Sequence, residues 1–150
     1  TRLFAFGKPQ AWPAFREGTP LPSFDYLGFT HYWGRSRTGK ARLKRKTSKK
    51  RLRRALVEIN TWLRQKRNAR KLPALWQAVA GKIRGHLNDF GVTDNSRALQ
   101  QCRRAVRRVL FKWLNRRSQR RSFTWVGFLR YERRYPLPRT QRLVPLNPVW

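Results

Sequence analysis

Methionine does not occur in this chain, cysteine occurs once, and acidic residues number only six among 150. Each scarcity excludes something. The lone Cys102 has no intramolecular disulfide partner, which suits a reducing compartment and leaves a cysteine-based zinc site without ligands. The two histidines, His31 and His86, are far apart in sequence. The six acids are Glu17, Asp25, Glu58, Asp89, Asp94 and Glu132. No pair of them has the spacing of a two-metal centre, and no Gly-x-x-x-x-Gly-Lys loop is present to cradle a nucleotide. By itself the chain reads as a binding module, with neither metal nor cofactor of its own. No run approaches the roughly 18 apolar residues of a membrane span, and no secretory leader is visible. A chain that starts at Thr1 without an initiator is expected to be an excised domain, a processed product or part of a longer reading frame.

Positive charge is what the sequence has in excess. Lys and Arg number 37, giving a formal net charge of +31. Self-repulsion on that scale opposes compaction and favours a polyanionic partner. A disordered basic tail would lack large apolar residues, whereas this chain is 39% hydrophobic and holds 7 Trp, 9 Phe and 4 Tyr. A folded, strongly basic module is expected to meet nucleic acid. An anionic lipid surface also attracts cations, but the apolar helix faces below are those a core would use, so no membrane partner is expected.

Residues 1–23 pair a short apolar start with a Pro/Gly-punctuated loop, "GKPQAWPAFREGTPLPS". "FDYLGFTHYW" (Phe24–Trp33) predicts a strand, and "KARLKRK" (Lys40–Lys46) a second one after the turn "GRSRTG". Thr47 or Ser48 can cap a helix whose Leu52, Ala55, Leu56, Ile59, Trp62 and Leu63 share a stripe, with Arg53, Arg54, Thr61 and Arg64 facing away. A second helix, about Pro73 to Phe90, gathers Leu75, Trp76, Val79, Ile83, Leu87 and Phe90. Its opposite face carries Gln77, Gly81, Arg84, Gly85 and Asn88. "TDNS" is expected to cap a third helix, about Ser96 to Arg116, with Cys102, Val106, Val109, Leu110 and Trp113 on one side. A short fourth helix starts at Thr124 and stops before "PLP". The predicted fold is mainly α: an N-terminal β-hairpin, a three-helix bundle and a short C-terminal helix. The expected divisions are 1–46, 47–138 and a C-terminal extension, 139–150.

Three basic clusters are candidate nucleic-acid contacts. The first runs through Lys44, Arg45, Lys46, Lys49, Lys50, Arg53 and Arg54. The second is the third helix's outer face, Arg104, Arg107, Arg108 and Lys112. The third is Arg116, Arg117, Arg120 and Arg121. Arginine's planar fork matches phosphate geometry and lysine adds point charge. The face with Gly81 and Gly85 has two readings. Either a neighbouring helix packs there, or a nucleic-acid groove approaches the backbone, with Arg84 and Asn88 as donors. An A-form minor groove is wide and shallow enough for the second. Trp62, Trp76 and Trp113 lie on apolar stripes and fit a core better than base stacking.

"FDYLGFTHYWGRSRTGKARLKRKTSKKRLRRAL" resembles the last reverse-transcriptase block of group II intron reverse transcriptases and its passage into the thumb. "KIRGHLNDFGVTDNSRAL" and "WLNRRSQRRSFTW", followed by "RYPLP", are similar to that family's thumb, also called the maturase or X domain. The resemblance covers nearly all of residues 1–138. It implies that 1–46 is the end of a palm-like region, and that Phe24, Leu27, Gly28 and Phe29 belong to a primer-grip hairpin. It implies that the helices clamp an RNA template–DNA primer duplex and help bind group II intron RNA for splicing. The parent activity it implies is RNA-directed DNA polymerisation, a nucleotidyltransferase reaction in a bacterial-type cytoplasm.

The departures count as well. The Tyr-x-Asp-Asp carboxylates of the family's palm, and the Mg²⁺ they hold, do not occur in these residues. The remaining fingers and palm are therefore an expected partner. His86, Leu87 and Asp89 stand where relatives often carry aromatics. Nothing after Pro138 resembles the zinc-binding endonuclease domain of some relatives, which points to the compact lineage without it. Two other readings stay open: a free-standing basic structural RNA-binding protein, or the C-terminal portion of a complete enzyme.

Overall fold

Aromatic and β-branched residues dominate Phe24 to Trp33, and a computed structural model places this stretch in an antiparallel sheet. The structure describes residues 6–8, 17, 21–118, 122–140 and 143–145. Most of the proline-rich stretch before Leu21 therefore lies outside the described residues. The sheet runs in the order β1 (Ser23–Tyr26), β2 (Phe29–Arg35), β3 (Ala41–Thr47). The single strand expected over Phe24–Trp33 is broken at Leu27–Gly28, so a three-stranded meander stands where a two-stranded hairpin was expected. Both turn residues are left-handed, Leu27 at φ 49° and Gly28 at φ 81°, the backbone that matches the twist of paired strands. Leucine is a poor residue for that conformation, which is why the turn was hidden in the sequence. Gly28 is required on a second count: a Cβ there would lie 3.1 Å from the Phe90 ring.

Register decides what each sheet face carries. Phe24 pairs with His31, His31 with Arg45, and Trp33 with Leu43, so an aromatic face also holds Arg45. Thr30 pairs with Lys46 and Tyr32 with Lys44, which puts those lysines on the opposite face. The two-residue period therefore splits the run Lys44–Arg45–Lys46 between two surfaces.

The helices follow the apolar periodicity closely. α1 (Lys49–Lys66) starts at Ser48, whose Oγ accepts the Arg51 N–H at 3.2 Å. It buries Ile59 and Leu63, with Leu52, Leu56 and Trp62 partly buried against the core. α2 (Leu72–Phe90) has Pro73 in its first turn and buries Leu75, Trp76, Val79, Ile83 and Phe90. α3 (Ser96–Leu114) buries Leu99, Cys102, Val106, Leu110, Trp113 and Leu114. α4 (Trp125–Arg134) is capped by Thr124, whose Oγ1 accepts the Gly127 N–H at 3.1 Å, and it seats Phe128 in the core. Fully buried leucines of this kind contribute about 1.5–3 kcal/mol each. The observed class is the predicted one: mainly α, with a small sheet before the bundle and a short final helix.

"TDNS" does not cap α3 in the way expected. The chain enters α3 through a 3₁₀ turn, Thr93–Asn95, without a side-chain cap. Asn95 is fully buried and committed elsewhere. Its Oδ1 accepts the Thr47 N–H at 2.7 Å, while its Nδ2 donates to Thr47 Oγ1 at 2.8 Å and to the Phe90 carbonyl at 2.9 Å. One side chain thus ties the end of β3 to the end of α2. The contact between Phe29 and Phe90, 5.0 Å between ring centroids, and the bond from Ser48 N–H to the Gly28 carbonyl complete the joint.

After α4 the chain runs alongside α2. Trp76 Nε1 donates to the Tyr135 carbonyl at 2.9 Å, and Arg103 Nε to the Pro138 carbonyl at 3.1 Å. Leu137 is buried in the core. Further on, Val144 N–H donates to the Gly91 carbonyl at 2.8 Å, and Val144 forms a parallel bridge with Val92. Trp76 and Gly91 are 15 positions apart, about 22 Å along a helix, so this segment is held near both ends of α2.

Candidate nucleic-acid interface

Among the described residues only Glu58 and Glu132 form ion pairs, which leaves most of the cations unbalanced. Arg54 pairs with Glu58 at 2.9 Å on the surface of α1, an exposed pair of small energetic weight. Lys49, Lys50, Arg53 and Arg64 are exposed on that helix. At 100° per residue they fall within one arc of about 100°. No acid stands in the first turn of α1, which instead holds Lys49, Lys50 and Arg51. Cations there oppose the helix dipole, at about 0.3–1 kcal/mol each, and a bound anion would relieve them.

On the sheet, Lys46 is exposed and its Nζ lies 4.9 Å over the Tyr32 ring. Lys44 lies with its aliphatic stem over Gly34, where a Cβ would come within 2.8 Å of it. Arg45 faces the aromatic side beside His31. Burial, and then the Arg45 charge, hold the His31 imidazole below its usual range.

α3 presents an exposed row of Arg104, Arg108 and Lys112. Arg107 does not stand in that row. Its Nε and Nη2 donate to Glu132 Oε2 at 2.9 and 2.6 Å, and Arg103 Nη2 donates to Glu132 Oε1 at 2.7 Å. Glu132 is buried, so this fork locks α4 onto α3. Helical spacing alone put Arg107 on the outer face; the acid that turns it inward is 25 residues away.

The third cluster gains members that the sequence reading passed over. Arg116 is exposed, and its carbonyl accepts from Arg67 Nε at 3.1 Å. Arg117 Nη2 donates to the Arg70 carbonyl at 2.7 Å. These bonds bring the end of α1, the start of α2 and the end of α3 to one pole, where Arg64, Arg67, Arg70 and Lys71 join Lys112, Arg116 and Arg117. Arg67, Lys112 and Arg116 stand 4.9, 5.2 and 5.4 Å from the Trp113 ring centre. Trp113 itself is buried and donates to Asn60 Oδ1 at 2.8 Å, so it orients cations and is not offered for stacking. The basic run "RQKRNARK" was the available signal. Arg97, exposed and seven residues before Arg104, instead extends the outer row of α3. Arg120 and Arg121 lie outside the described residues.

The glycine face of α2 is settled by what lies near it. Gln77, Gly81, Arg84, Gly85 and Asn88 are all exposed, and a Cβ built on either glycine meets nothing within 4 Å. Among the described residues no helix packs there, which removes the first of the two readings. Two helix-weakening glycines, at roughly 1 kcal/mol each, therefore keep an exposed surface low without serving the fold. Arg84 and Asn88 make no hydrogen bond or ion pair among the described residues.

Of the residues expected in a grip hairpin, Phe24, Gly28 and Phe29 are partly buried in the sheet and its joint, while Leu27 is 77% exposed at the turn beside Tyr26 at 61%. A small concavity at this tip is lined by Asp25, Tyr26, Leu27, Lys50, Arg51 and Arg54. Near its base His86 packs on Phe90 at 4.8 Å between ring centroids. Burial, and then Arg51, hold His86 below its usual range against the opposing pull of Asp89. Burial alone raises the Cys102 thiol to about 11, so it stays protonated and inert. Among the described residues, no three His, Cys, Asp or Glu side chains gather as a metal ion would require. No helix there is long and apolar enough to cross a membrane.

A sequence profile of the group II intron maturase-specific domain matches residues 50–131, more than half of the chain, from the first turn of α1 into α4. The chain belongs to that family. The matched region contains the three long helices, the open glycine face and most of the cations described above. A maturase-specific domain serves group II intron splicing, with the intron RNA as its partner. Comparisons with curated proteins and with solved structures found no match.

Proposed function

We propose that this maturase domain grips structured RNA directly, and that the same surface takes an RNA–DNA hybrid when the intron is copied. The observation that carries the reading is the open face of α2. It joins a backbone made accessible by Gly81 and Gly85 to two donors, Arg84 and Asn88, that make no hydrogen bond or ion pair among the described residues. An A-form minor groove presents 2′-hydroxyls on a shallow floor, the shape such a face accepts. The stripe on α1 runs about 22 Å from Lys49 to Arg64, where it meets the pole around Arg116, and together they supply the phosphate contacts. Phosphate contacts set affinity and register, and the groove contact adds preference for A-form geometry.

In this reading the turn at Leu27 and Gly28 supports a primer end. Polymer synthesis and its Mg²⁺ belong to fingers and palm with which the domain assembles in a bacterial-type cytoplasm. The test is a titration against group II intron RNA, a generic RNA duplex and B-form DNA, each at two salt concentrations. Preference for RNA that survives high salt, and is lost in Gly85→Leu, supports the groove contact. Equal affinities that collapse together between 50 and 200 mM salt would reduce the surface to undirected charge.

A further inference from the structure

The segment after α4 and the exposed side of α2 enclose a cleft of about 700 Å³, lined by Arg84, Leu87, Asn88, Pro136, Pro138 and Arg139 with Thr140 at its end. Its size lies within the range of small-ligand sites. The walls are held in place. The Tyr135 carbonyl is tied to Trp76, the Pro138 carbonyl to Arg103, and Leu137 is buried beneath. Two prolines stiffen the outer wall. A guanidinium stands on each side, Arg84 from α2 and Arg139 from the segment, and among the described residues no carboxylate lines the space.

We propose that this cleft takes one unpaired nucleotide of a bound RNA. Arg84 and Arg139 would meet the phosphate. The apolar flank of Leu87, Pro136 and Pro138 would cover a face of the base, and the Asn88 amide, both donor and acceptor, would read its edge. The site is continuous with the glycine face, since Arg84 and Asn88 belong to both. A duplex lying on α2 therefore places an extruded base at the cleft mouth. This inference rests on the RNA-binding reading above and adds to it: the domain distinguishes a duplex interrupted by a bulge from a perfect one.

The experiment compares the full 150-residue chain on an RNA duplex and on the same duplex carrying one bulged 4-thiouridine. Stacking and edge contacts to one base correspond to about a tenfold gain in affinity. Arg139→Gln, an exposed change outside the groove contact, should lower that gain by loosening the phosphate of the extruded nucleotide. Irradiation should crosslink the bulged base to Leu87–Asn88 or to residues 136–140. Equal affinity for the two duplexes, or crosslinks confined to other elements, would overturn the cleft while leaving duplex binding intact. Failure to bind either RNA would overturn the RNA-binding reading and the cleft with it.

Discussion

Replacing Asn95 by alanine tests how the sheet is joined to the helices. The side chain is fully buried and makes three hydrogen bonds, at 2.7, 2.8 and 2.9 Å, two to Thr47 and one to the Phe90 carbonyl. Each is worth about 1 kcal/mol net, and leaving the buried Thr47 N–H without a partner adds to the cost. The expected loss is therefore about 3–4 kcal/mol. At about 2–4 °C per kcal/mol for a chain of this size, the Tm should fall by about 6–16 °C. Asn95→Leu keeps the volume but not the bonds and should not rescue it. Urea unfolding followed by tryptophan fluorescence gives the total. Amide exchange gives the location, because β3 and the end of α2 should open before the middle of α3. A loss below about 1 kcal/mol, or full recovery in Asn95→Leu, would refute the hydrogen-bond account.

Four further outcomes follow from the same geometry. Gly81→Ala and Gly85→Ala, each with open space at its Cβ, should stabilise the fold by about 1 kcal/mol each, read as a higher urea midpoint. They should weaken A-form duplex binding in the same preparations. Leu27→Asn relieves a left-handed leucine and should stabilise by about 1 kcal/mol. Unchanged affinity for an RNA–DNA hybrid would remove Leu27 from the primer contact. Glu132→Gln leaves Arg103 and Arg107 without their shared carboxylate and should cost about 3 kcal/mol in thermal unfolding. His86 is held below its usual range by burial and Arg51, so the unfolded chain binds its proton more readily. The stability it contributes is present above about pH 6.5 and lost as the pH falls through its folded value. His86→Gln should flatten that slope between pH 7 and 5 in urea titrations.

Much of this architecture could be read from residue spacing. The stripe through Leu52, Leu56, Ile59 and Leu63, the caps at Ser48 and Thr124, and Pro73 at the start of α2 are local signals, and each acts within a turn or two of itself. The three-stranded sheet was less legible because the turn uses leucine in a glycine-like conformation. Its backbone is held by contacts with Phe90 and Ser48 that are distant in sequence. The site divides in the same way. Charge, family resemblance and the unusual glycines of α2 are present in the chain as written, and together they point to intron RNA.

Which cations are free was decided only by the tertiary structure. Arg107 and Arg108 are neighbours with identical side chains, yet a buried glutamate from another helix claims one and leaves the other in solvent. Arg64, Arg67 and Arg70 became part of the same pole as Arg116 only when the end of α1 met the end of α3. Local sequence sets the period and therefore which residues share a face. Long-range packing sets the neighbours of that face, and with them which charges and which glycines remain available to a partner.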